Sequence, residues 1–262
     1  MIRLIVKYVC YLFRAKSKFG IHSPFVFQFV NDVLNDKTVF SEYQTINKTM
    51  QKFHRSRNII ETTDFGACTG QNTYRTHTRR VKEIARLSAI SESIGRLLFK
   101  MVRYYKPEHI LELGTSLGIS TLYLALANPD ARVITIEGCA NTAESAQNNF
   151  DQHNLKNIQL QVGEFGNLLE KAIESLPHLD FVFIDGNHRK EPTLSYFNTC
   201  LPKAHNETIF VFDDIYWSKG MEQAWCQIKA HPRVTASIDL FSIGIVFFRK
   251  ELSKEDFVIR LL

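Results

Sequence analysis

The sequence contains few cysteines and no pattern that would pair them. Its cysteines number five among 262 residues, and they lie far apart at Cys10, Cys68, Cys139, Cys200 and Cys226. The absence of a C-x-x-C pair argues against a zinc knuckle or a redox dithiol, and the odd number argues against a disulfide framework. We therefore expect a protein of a reducing compartment, the cytoplasm.

Long apolar runs are missing as well. The apolar start, Met1–Phe13, is interrupted by Lys7, and no small-residue cleavage site follows it, so we expect no signal peptide. No run of about 18 apolar residues offers a membrane span. We find no internal repeat and no low-complexity segment. The chain has 45% hydrophobic and 23% charged residues, which is typical of a folded globular protein.

The charge shows a modest basic excess, with 32 Lys and Arg against 27 Asp and Glu, a formal net charge of +5. This excess permits anionic partners such as nucleic acid, a membrane surface or an acidic metabolite. The same excess is common on proteins that bind none of these, so charge alone selects no partner.

From about residue 108, short runs rich in β-branched residues alternate with longer amphipathic stretches, a pattern that predicts βαβ units and a parallel sheet. The predicted strands are His109–Leu113, Arg132–Glu137, Asn157–Val162, Leu179–Asp185, Thr208–Asp213, Val234–Asp239 and Gly244–Arg249. The predicted helices are Ile119–Ala127, Ala140–Asn154, Phe165–Ser175, Glu191–Cys200 and Lys219–Ala230. Only Leu240–Ile243 separates the last two strands, too short for a parallel crossover, so these strands must form an antiparallel hairpin.

The expected fold is therefore α/β: a doubly wound, seven-stranded, mostly parallel sheet with an antiparallel last strand. We assign this domain to residues 81–262 and a helical extension to residues 1–80. In the first helix, Arg3, Lys7 and Arg14 fall on one side and leave a broad apolar face. We expect that face to pack on the domain or on a second subunit of a homodimer; the alternative is peripheral membrane contact.

Three strand ends in a row carry the parts of an adenosine site. The first strand ends at Glu112 and turns through Gly114 and Gly118 into a helix, and glycines there let the backbone approach a ligand closely. Glu137 ends the second strand, where an acid can accept the ribose hydroxyl protons. After the third strand, Glu164 and Phe165 offer a carboxylate for the adenine amino group and a ring beside the base.

Residues 107–249 resemble the class I S-adenosylmethionine-dependent methyltransferases, with Glu112-x-Gly114-x-x-x-Gly118 as the glycine motif. The resemblance implies a Rossmann-like fold with S-adenosylmethionine as cofactor. The cofactor-binding residues that it implies are Glu112, Gly114, Thr115, Ser116, Gly118, Glu137, Gly138, Glu164, Phe165 and Asp185. A second acid–glycine segment, Thr63–Gly70, lacks a following apolar helix and an acid-tipped strand, and we interpret it as a loop.

Carboxylates also follow the fourth and fifth strands, at Asp185, Asp213 and Asp214. Like charges this close raise one another's pKa unless a cation neutralises them, which favours a divalent ion with oxygen ligands. The pattern resembles metal-dependent O-methyltransferases of the catechol and caffeoyl-coenzyme A type and of the antibiotic-sugar type. That resemblance implies magnesium held by the three aspartates. The alternative is that one of them, Asp214 especially, caps the next helix.

Some of the sugar-modifying relatives place an aspartate base two residues after the first metal ligand, where this chain has Asn187. An amide cannot take a proton, so His188 is the nearest substitute as a catalytic base beside Asp185. The alternative for His188 is a bond to a neighbouring loop. We expect Tyr216, Trp217 and the segment around His22 and Phe25 to wall the acceptor pocket, although aromatic residues there fit a core equally well.

The function expected from these residues is O-methylation of a small hydroxylated acceptor, with magnesium assistance. One alternative is methylation of RNA or protein, motivated by the basic cluster Arg55, Arg57, Arg75, Arg79 and Arg80. An Asn-Pro-Pro-Tyr-type loop, which many enzymes that methylate nucleic-acid amino groups carry, is missing after the fourth strand. A second alternative is a non-catalytic module that binds S-adenosylmethionine.

Overall fold

A computed structural model describes residues 2–16, 20–64 and 75–260 of the chain. The first elements are α1 (Ile2–Arg14), α2 (Pro24–Phe29, continued by the π-helical turn Val30–Leu34), α3 (Glu42–Arg55), β1 (Ile59–Asp64), β2 (Arg75–Arg80), α4 (Val81–Leu87) and α5 (Glu92–Tyr105). The next are β3 (His109–Leu113), α6 (Ile119–Ala127), β4 (Arg132–Glu137), α7 (Ala140–Gln152), β5 (Ile158–Val162) and α8 (Phe165–Glu174). The last are β6 (Leu179–Ile184), α9 (Lys190–Cys200), a 3-10 turn (Leu201–Lys203), β7 (Ala204–Asp213), α10 (Lys219–Ala230), β8 (Ala236–Asp239), β9 (Ile243–Phe247) and β10 (Glu255–Val258).

The chain folds into two compact units that do not follow the sequence from one end to the other. Unit 1 comprises residues 1–36 together with 176–262, and unit 2 comprises residues 37–175. The N-terminal segment assigned to an extension therefore contributes to both units. The boundary expected near residue 80 stays a prediction.

Unit 2 contains three parallel strands in the order β3-β4-β5. Residues 110–113 of β3 are buried, because parallel strands of an α/β fold are covered on both faces. Helices α5 and α6 pack closely: a Cβ at Gly95 would come within 2.2 Å of the Tyr123 ring, so only glycine permits this approach.

Unit 1 contains five strands in the order β10-β8-β9-β7-β6. Strands β6 and β7 are parallel, whereas β9 runs antiparallel to both β7 and β8. The short connection Leu240–Ser242 closes the β8–β9 hairpin, as the sequence predicted. Beyond it, β10 adds a strand parallel to β8 that the sequence analysis did not predict.

The predicted fold class is confirmed: the fold is mixed α/β with a mostly parallel central sheet. Strands β3 and β4 and helices α6 and α10 have the predicted bounds, and the other predicted elements differ by a few residues at their ends. The segment expected to form a helical extension also contains two strands, because β1 and β2 pair antiparallel. Thr63 and Asp64 belong to β1 rather than to a loop, while the remainder of Thr63–Gly70 lies outside the described residues.

Helix α1 packs on the rest of unit 1 through the side that carries its basic and tyrosine residues. Arg3 and Lys7 both form ion pairs with Glu222 of α10, and the ring of Tyr11 contacts Phe241. The predicted apolar face points the other way, with Ile5 57% and Phe13 88% exposed. The domain contact was therefore predicted correctly, but the face that makes it was not.

Among the described residues, each helix is too short or too polar to traverse a lipid bilayer.

Candidate functional site

The turn from β3 into α6 adopts left-handed backbone conformations at three positions. The φ angles are 105° at Gly114, 48° at Ser116 and 81° at Gly118. Only glycine adopts such angles without strain, and a Cβ at Gly118 would lie 2.5 Å from Cε1 of Phe150. Gly118 begins α6 as its N-cap. The sequence motif therefore encodes a tight turn that exposes backbone N–H groups at the start of a helix.

Glu137, at the end of β4, is fixed to that turn. Its Oε2 accepts a hydrogen bond from the Ser116 N–H (2.8 Å), and its Oε1 accepts one from the Cys139 N–H (2.9 Å). Burial raises the pKa of Glu137, and these backbone bonds oppose the rise. Each carboxylate oxygen can accept a second bond, so Glu137 keeps acceptor capacity for a pair of ribose hydroxyls.

Glu112 is fully buried beneath the same turn. Its Oε2 accepts hydrogen bonds from the hydroxyls of Thr121 and Thr135, and the hydroxyl of Thr115 lies 2.5 Å from that of Thr135. Burial raises the pKa of Glu112. Within the described part of the chain, Oε1 of Glu112 has no hydrogen-bond partner. A buried acceptor without a partner is costly in isolation, and a donor from a ligand ammonium group or a bound water satisfies it.

The third strand end is more open. Glu164 is exposed and is the N-cap residue of α8, and Phe165 is half-buried. The N–H of Gly163 bonds to the carbonyl of Glu137, which ties the ends of β5 and β4 together. Gly138 directly follows Glu137 and its backbone also bonds to that carboxylate. The structure thus brings the predicted cofactor residues of unit 2 to one edge of β3, β4 and β5.

The β1–β2 hairpin lies against the end of β4, a contact that sequence reasoning missed. Asn141 Nδ2 donates to the Glu61 carbonyl (2.8 Å), and the Thr63 N–H lies 3.4 Å from Cys139 Sγ. Strand β2 is polar at every position, so the sequence lacked the apolar–polar alternation that indicates a strand.

Unit 2 also contains a groove of about 370 Å³ beside α6. Ile119 and Tyr123 of α6 form one wall, and Asn47, Met50 and Ile90 contribute to the others. Its size suits a small organic molecule. Ile119 is the first residue after Gly118, so the groove begins next to the glycine turn.

In unit 1, the ends of β6 and β7 bring Asp185, His188, Asp213 and Asp214 together. The side chains of Asp185 and Asp213 share a hydrogen bond, and His188 Nε2 lies 3.7 Å from Asp185 Oδ1. Burial, followed by the charge of Asp214, raises the pKa of Asp213 to about 7. Burial also raises the pKa of Asp214, and the electrostatic interaction with the nearby His188 ring opposes this rise.

Carboxylate oxygens are the ligands that a hard divalent cation prefers, but the ligand atoms of Asp185, Asp213 and Asp214 do not all lie within 4.8 Å of one another. A carboxyl group that keeps its proton near neutral pH shows that a further negative charge in the cluster is unfavourable. A divalent cation in place of that proton would compensate the negative charges. The N-cap of α10 is Ser218, whose side chain accepts from the Met221 N–H. Asp214 therefore does not cap that helix, and the alternative raised from the sequence is wrong.

His188 and Asn187 differ in what they contact. Asn187, with a left-handed φ of 51°, bonds to Tyr196 and Arg189, so its amide is committed to its own loop. Burial lowers the pKa of His188, which the carboxylate of Asp214 opposes. A neutral imidazole beside two aspartates can accept a proton.

The aromatic residues expected near the acceptor divide into two kinds. Tyr216 donates a hydrogen bond to Asp239 (2.6 Å) and stacks on Phe241, and Phe25 packs edge-on against Phe247, so both belong to packed clusters. Trp217 is 63% exposed, and its backbone N–H bonds to the Asp214 backbone carbonyl. This exposed indole, three residues after Asp214, remains the candidate for contact with an acceptor.

Comparisons with known proteins agree with this arrangement. The family described as "Methyltransferase domain" matches residues 111–215. A catechol O-methyltransferase of Niastella koreensis is 33% identical over 137 residues, which are 48% of this chain and 58% of that protein. A catechol O-methyltransferase of Mycobacterium tuberculosis is 30% identical over 140 residues, 51% of this chain and 60% of that protein. The chain thus spans about three fifths of the length of these curated relatives.

Among solved structures, an O-methyltransferase from Bacillus cereus in complex with S-adenosylhomocysteine superimposes with a TM-score of 0.54. It is 22% identical, and the match covers 85% of this chain and 96% of that one. At this identity the similarity establishes the fold. The family match covers about two fifths of this chain and includes the glycine turn and its acids, Glu112 and Glu137. Its matched segment, residues 111–215, runs from β3 through the acidic pair after β7.

Proposed function

We propose that the protein is an S-adenosylmethionine-dependent O-methyltransferase that acts on a small hydroxylated acceptor with the help of magnesium. The observation that carries the proposal is the cluster of Asp185, Asp213 and Asp214, in which burial and repulsion raise the pKa of Asp213 to about 7. A protein that only bound the cofactor would have no use for half-buried carboxylates held in this arrangement.

The residues proposed to bind the cofactor lie on unit 2. The first turn of α6, which follows Gly118, would offer backbone donors to the methionine carboxylate, and Glu112 offers a buried acceptor beneath the glycine turn. Glu137 would hold the ribose hydroxyls, with Gly138 allowing close approach. Glu164 and Phe165 would contact the adenine. S-adenosylmethionine, when bound, supplies an activated methyl group, so the protein has mainly to align acceptor and donor.

The residues proposed to bind magnesium and the acceptor lie on unit 1. Asp185, Asp213 and Asp214 would hold magnesium, which supplies a Lewis acid that lowers the pKa of a coordinated hydroxyl. His188 would receive the proton of that hydroxyl, because burial lowers its pKa and keeps the imidazole neutral near pH 7. Trp217, exposed beside Asp214, would cover one face of a flat acceptor.

The relatives named catechol O-methyltransferase support a vicinal diol on an aromatic ring as the first acceptor to test. Two neighbouring oxygens can bind one metal ion together and leave one of them placed for methylation.

The RNA alternative has weaker support from the basic cluster. Arg79 and Arg80 are neighbours in β2, so their side chains leave opposite faces of the strand and do not form one basic surface. Arg55 lies at the end of α3. The side chain of Arg75 lies outside the described part of the structure.

The test measures transfer of a labelled methyl group from S-adenosylmethionine to catechol, with magnesium chloride or with EDTA. We expect transfer with magnesium, little with EDTA, and none to catechol dimethyl ether, which has the same ring but no free hydroxyl. Cofactor binding without transfer to catechol or to a panel of phenols and sugars would favour the non-catalytic module. Transfer to total RNA in preference to all of these would favour the nucleic-acid alternative.

A further inference from the structure

A second group of metal-ligating side chains lies on unit 1, at the opposite ends of the strands that carry the aspartates. It consists of His178, directly before β6, Asp180 in β6 and His205 in β7. His205 Nε2 lies 2.7 Å from Asp180 Oδ1, and His178 Nε2 lies 3.3 Å from the same oxygen. One ligand atom from each residue lies within 4.8 Å of the other two.

An irregularity in the β6–β7 pairing creates this group. Leu179 pairs with Ala204, but the next paired residues are Phe181 and Ile209, so four residues of β7 face one residue of β6. The Thr208 hydroxyl closes the bulge, because it accepts from the His205 N–H (2.8 Å) and donates to the Leu179 carbonyl (2.6 Å). Bulges redirect side chains, and this one directs His205 onto Asp180.

The group is separated from the aspartates by the length of the strand. Asp180 and Asp185 are five residues apart along and just beyond β6, or about 17 Å at the rise of an extended strand. The amino and carboxyl ends of parallel strands lie at opposite edges of a sheet. An ion at one edge therefore does not share ligands with an ion at the other.

The donor set differs from that of the aspartates in kind. Two imidazole nitrogens and one carboxylate oxygen suit zinc and neighbouring transition metals, whereas magnesium prefers oxygen ligands throughout. In a tetrahedral zinc site, bonds of about 2.0–2.1 Å place the ligand atoms about 3.3 Å apart. The His178–Asp180 separation already has this value, and His205 needs to withdraw by roughly 0.6 Å. The side chains of His178 and His205 are 40% and 37% exposed, so an ion can reach them.

The hydrogen bonds show what the ion must displace. The Glu207 N–H donates to His205 Nδ1 (3.2 Å), so Nε2 carries the ring proton and donates it to Asp180. A metal ion bound at Nε2 replaces that proton, and the neutral ring then carries its proton on Nδ1. The Glu207 amide loses a long hydrogen bond, and because Glu207 is exposed the amide can bond to water instead.

We propose that His178, Asp180 and His205 form a binding site for a zinc-type transition metal ion, with a water molecule as the fourth ligand. The ion would join the amino ends of β6 and β7 across the bulge. This site does not depend on the proposed methyl transfer.

The test titrates Zn²⁺ into the whole protein by calorimetry, with excess magnesium chloride present to saturate the aspartates. We expect one zinc ion per chain, and we expect His178→Asn and His205→Asn each to weaken binding by about 10–100-fold or more, since even outer-shell partners contribute that much. His231→Asn, at the end of α10 and outside the group, is the matched control and should bind as the unaltered protein does. Co²⁺ in place of zinc should give the visible absorption of a tetrahedral site, lost in both variants.

Melting temperatures without metal separate loss of ligands from loss of fold. His178 precedes its strand and is 40% exposed, so His178→Asn should fold even if His205→Asn does not. The proposal is overturned if zinc shows no saturable binding, or if His178→Asn binds it with unchanged affinity. It is also overturned if Asp213→Asn removes the binding, because the ion would then lie at the other edge.

Discussion

The candidate cofactor residues of unit 2 and the acidic cluster of unit 1 differ in how their carboxylates are stabilised. In unit 2, backbone N–H groups donate hydrogen bonds to the Glu137 carboxylate, and three residues with left-handed φ angles shape the turn. That site is built from the backbone and is satisfied before a ligand arrives, apart from one buried oxygen of Glu112. In unit 1, burial raises the pKa of both Asp213 and Asp214, and the charge of Asp214 raises the pKa of Asp213 further. The first site is pre-organised for a ligand, whereas the second needs a cation to be stable when ionised.

A substitution at Asp213 tests this difference with the largest expected effect. We expect Asp213→Asn to lower methyl transfer by about 1000-fold, because a Lewis acid contributes several kcal/mol to such a reaction. Cofactor affinity should stay within about twofold, since Asp213 lies in the acidic cluster and not at the glycine turn. Calorimetry with S-adenosylhomocysteine measures the cofactor affinity, and a turnover assay measures methyl transfer.

Asp256→Asn is the control for that change, because Asp256 is an exposed carboxylate of β10 paired with Lys229. Full activity in Asp213→Asn, or full activity in EDTA, would mean that the aspartates do not act through a metal ion.

The next largest effect is expected at Glu137, where the change should affect cofactor binding and leave magnesium binding unchanged. Glu137→Ala should weaken cofactor binding by about 1–3 kcal/mol, the usual cost of losing a charged hydrogen-bond partner. Magnesium affinity should be unchanged. Glu144→Ala, an exposed acid on the adjoining helix α7, serves as the control. Unchanged affinity for S-adenosylhomocysteine in Glu137→Ala would remove this residue from the cofactor site.

A pair of glycines tests whether the turn is shaped by backbone strain. Gly118→Ala should lower the free energy of unfolding by about 1–3 kcal/mol, because its φ of 81° and the Phe150 ring leave no room for a Cβ. Gly166→Ala meets nothing within 4 Å in helix α8 and should be neutral or stabilising by up to about 1 kcal/mol. Denaturant unfolding of both variants measures the difference, and equal losses would contradict it.

The smallest effect concerns pH and magnesium. Because the pKa of Asp213 is raised from its ordinary value to about 7, the folded protein holds a proton that the unfolded chain releases. The metal-free protein should therefore lose stability as the pH rises from about 4 to about 7. Magnesium should raise the melting temperature by about 2–4 °C more at about pH 8 than at about pH 6. An equal shift at both pH values would show that the ion does not replace this proton.

Local patterns identified most of the elements and the order of the site residues. The glycines at 114 and 118 and the acids at 112 and 137 predicted the turn, because left-handed angles and strand-end acids are properties of short segments. The β8–β9 hairpin followed from the length of its connection. In contrast, the β1–β2 pairing and β10 depend on partners that the local sequence does not specify, and β10 is a four-residue edge strand with only two buried or half-buried side chains.

The sequence by itself determined the α/β class, the strand ends and the residue types placed there. Only the tertiary structure decided which groups meet: Ser116 with Glu137, Asp185 with Asp213, and His205 with Asp180 through a bulge. It also decided that α1 uses its basic side on the domain. The physical reason is that periodicity and turn chemistry act over a few residues, whereas burial, charge repulsion and strand register depend on neighbours distant in the chain.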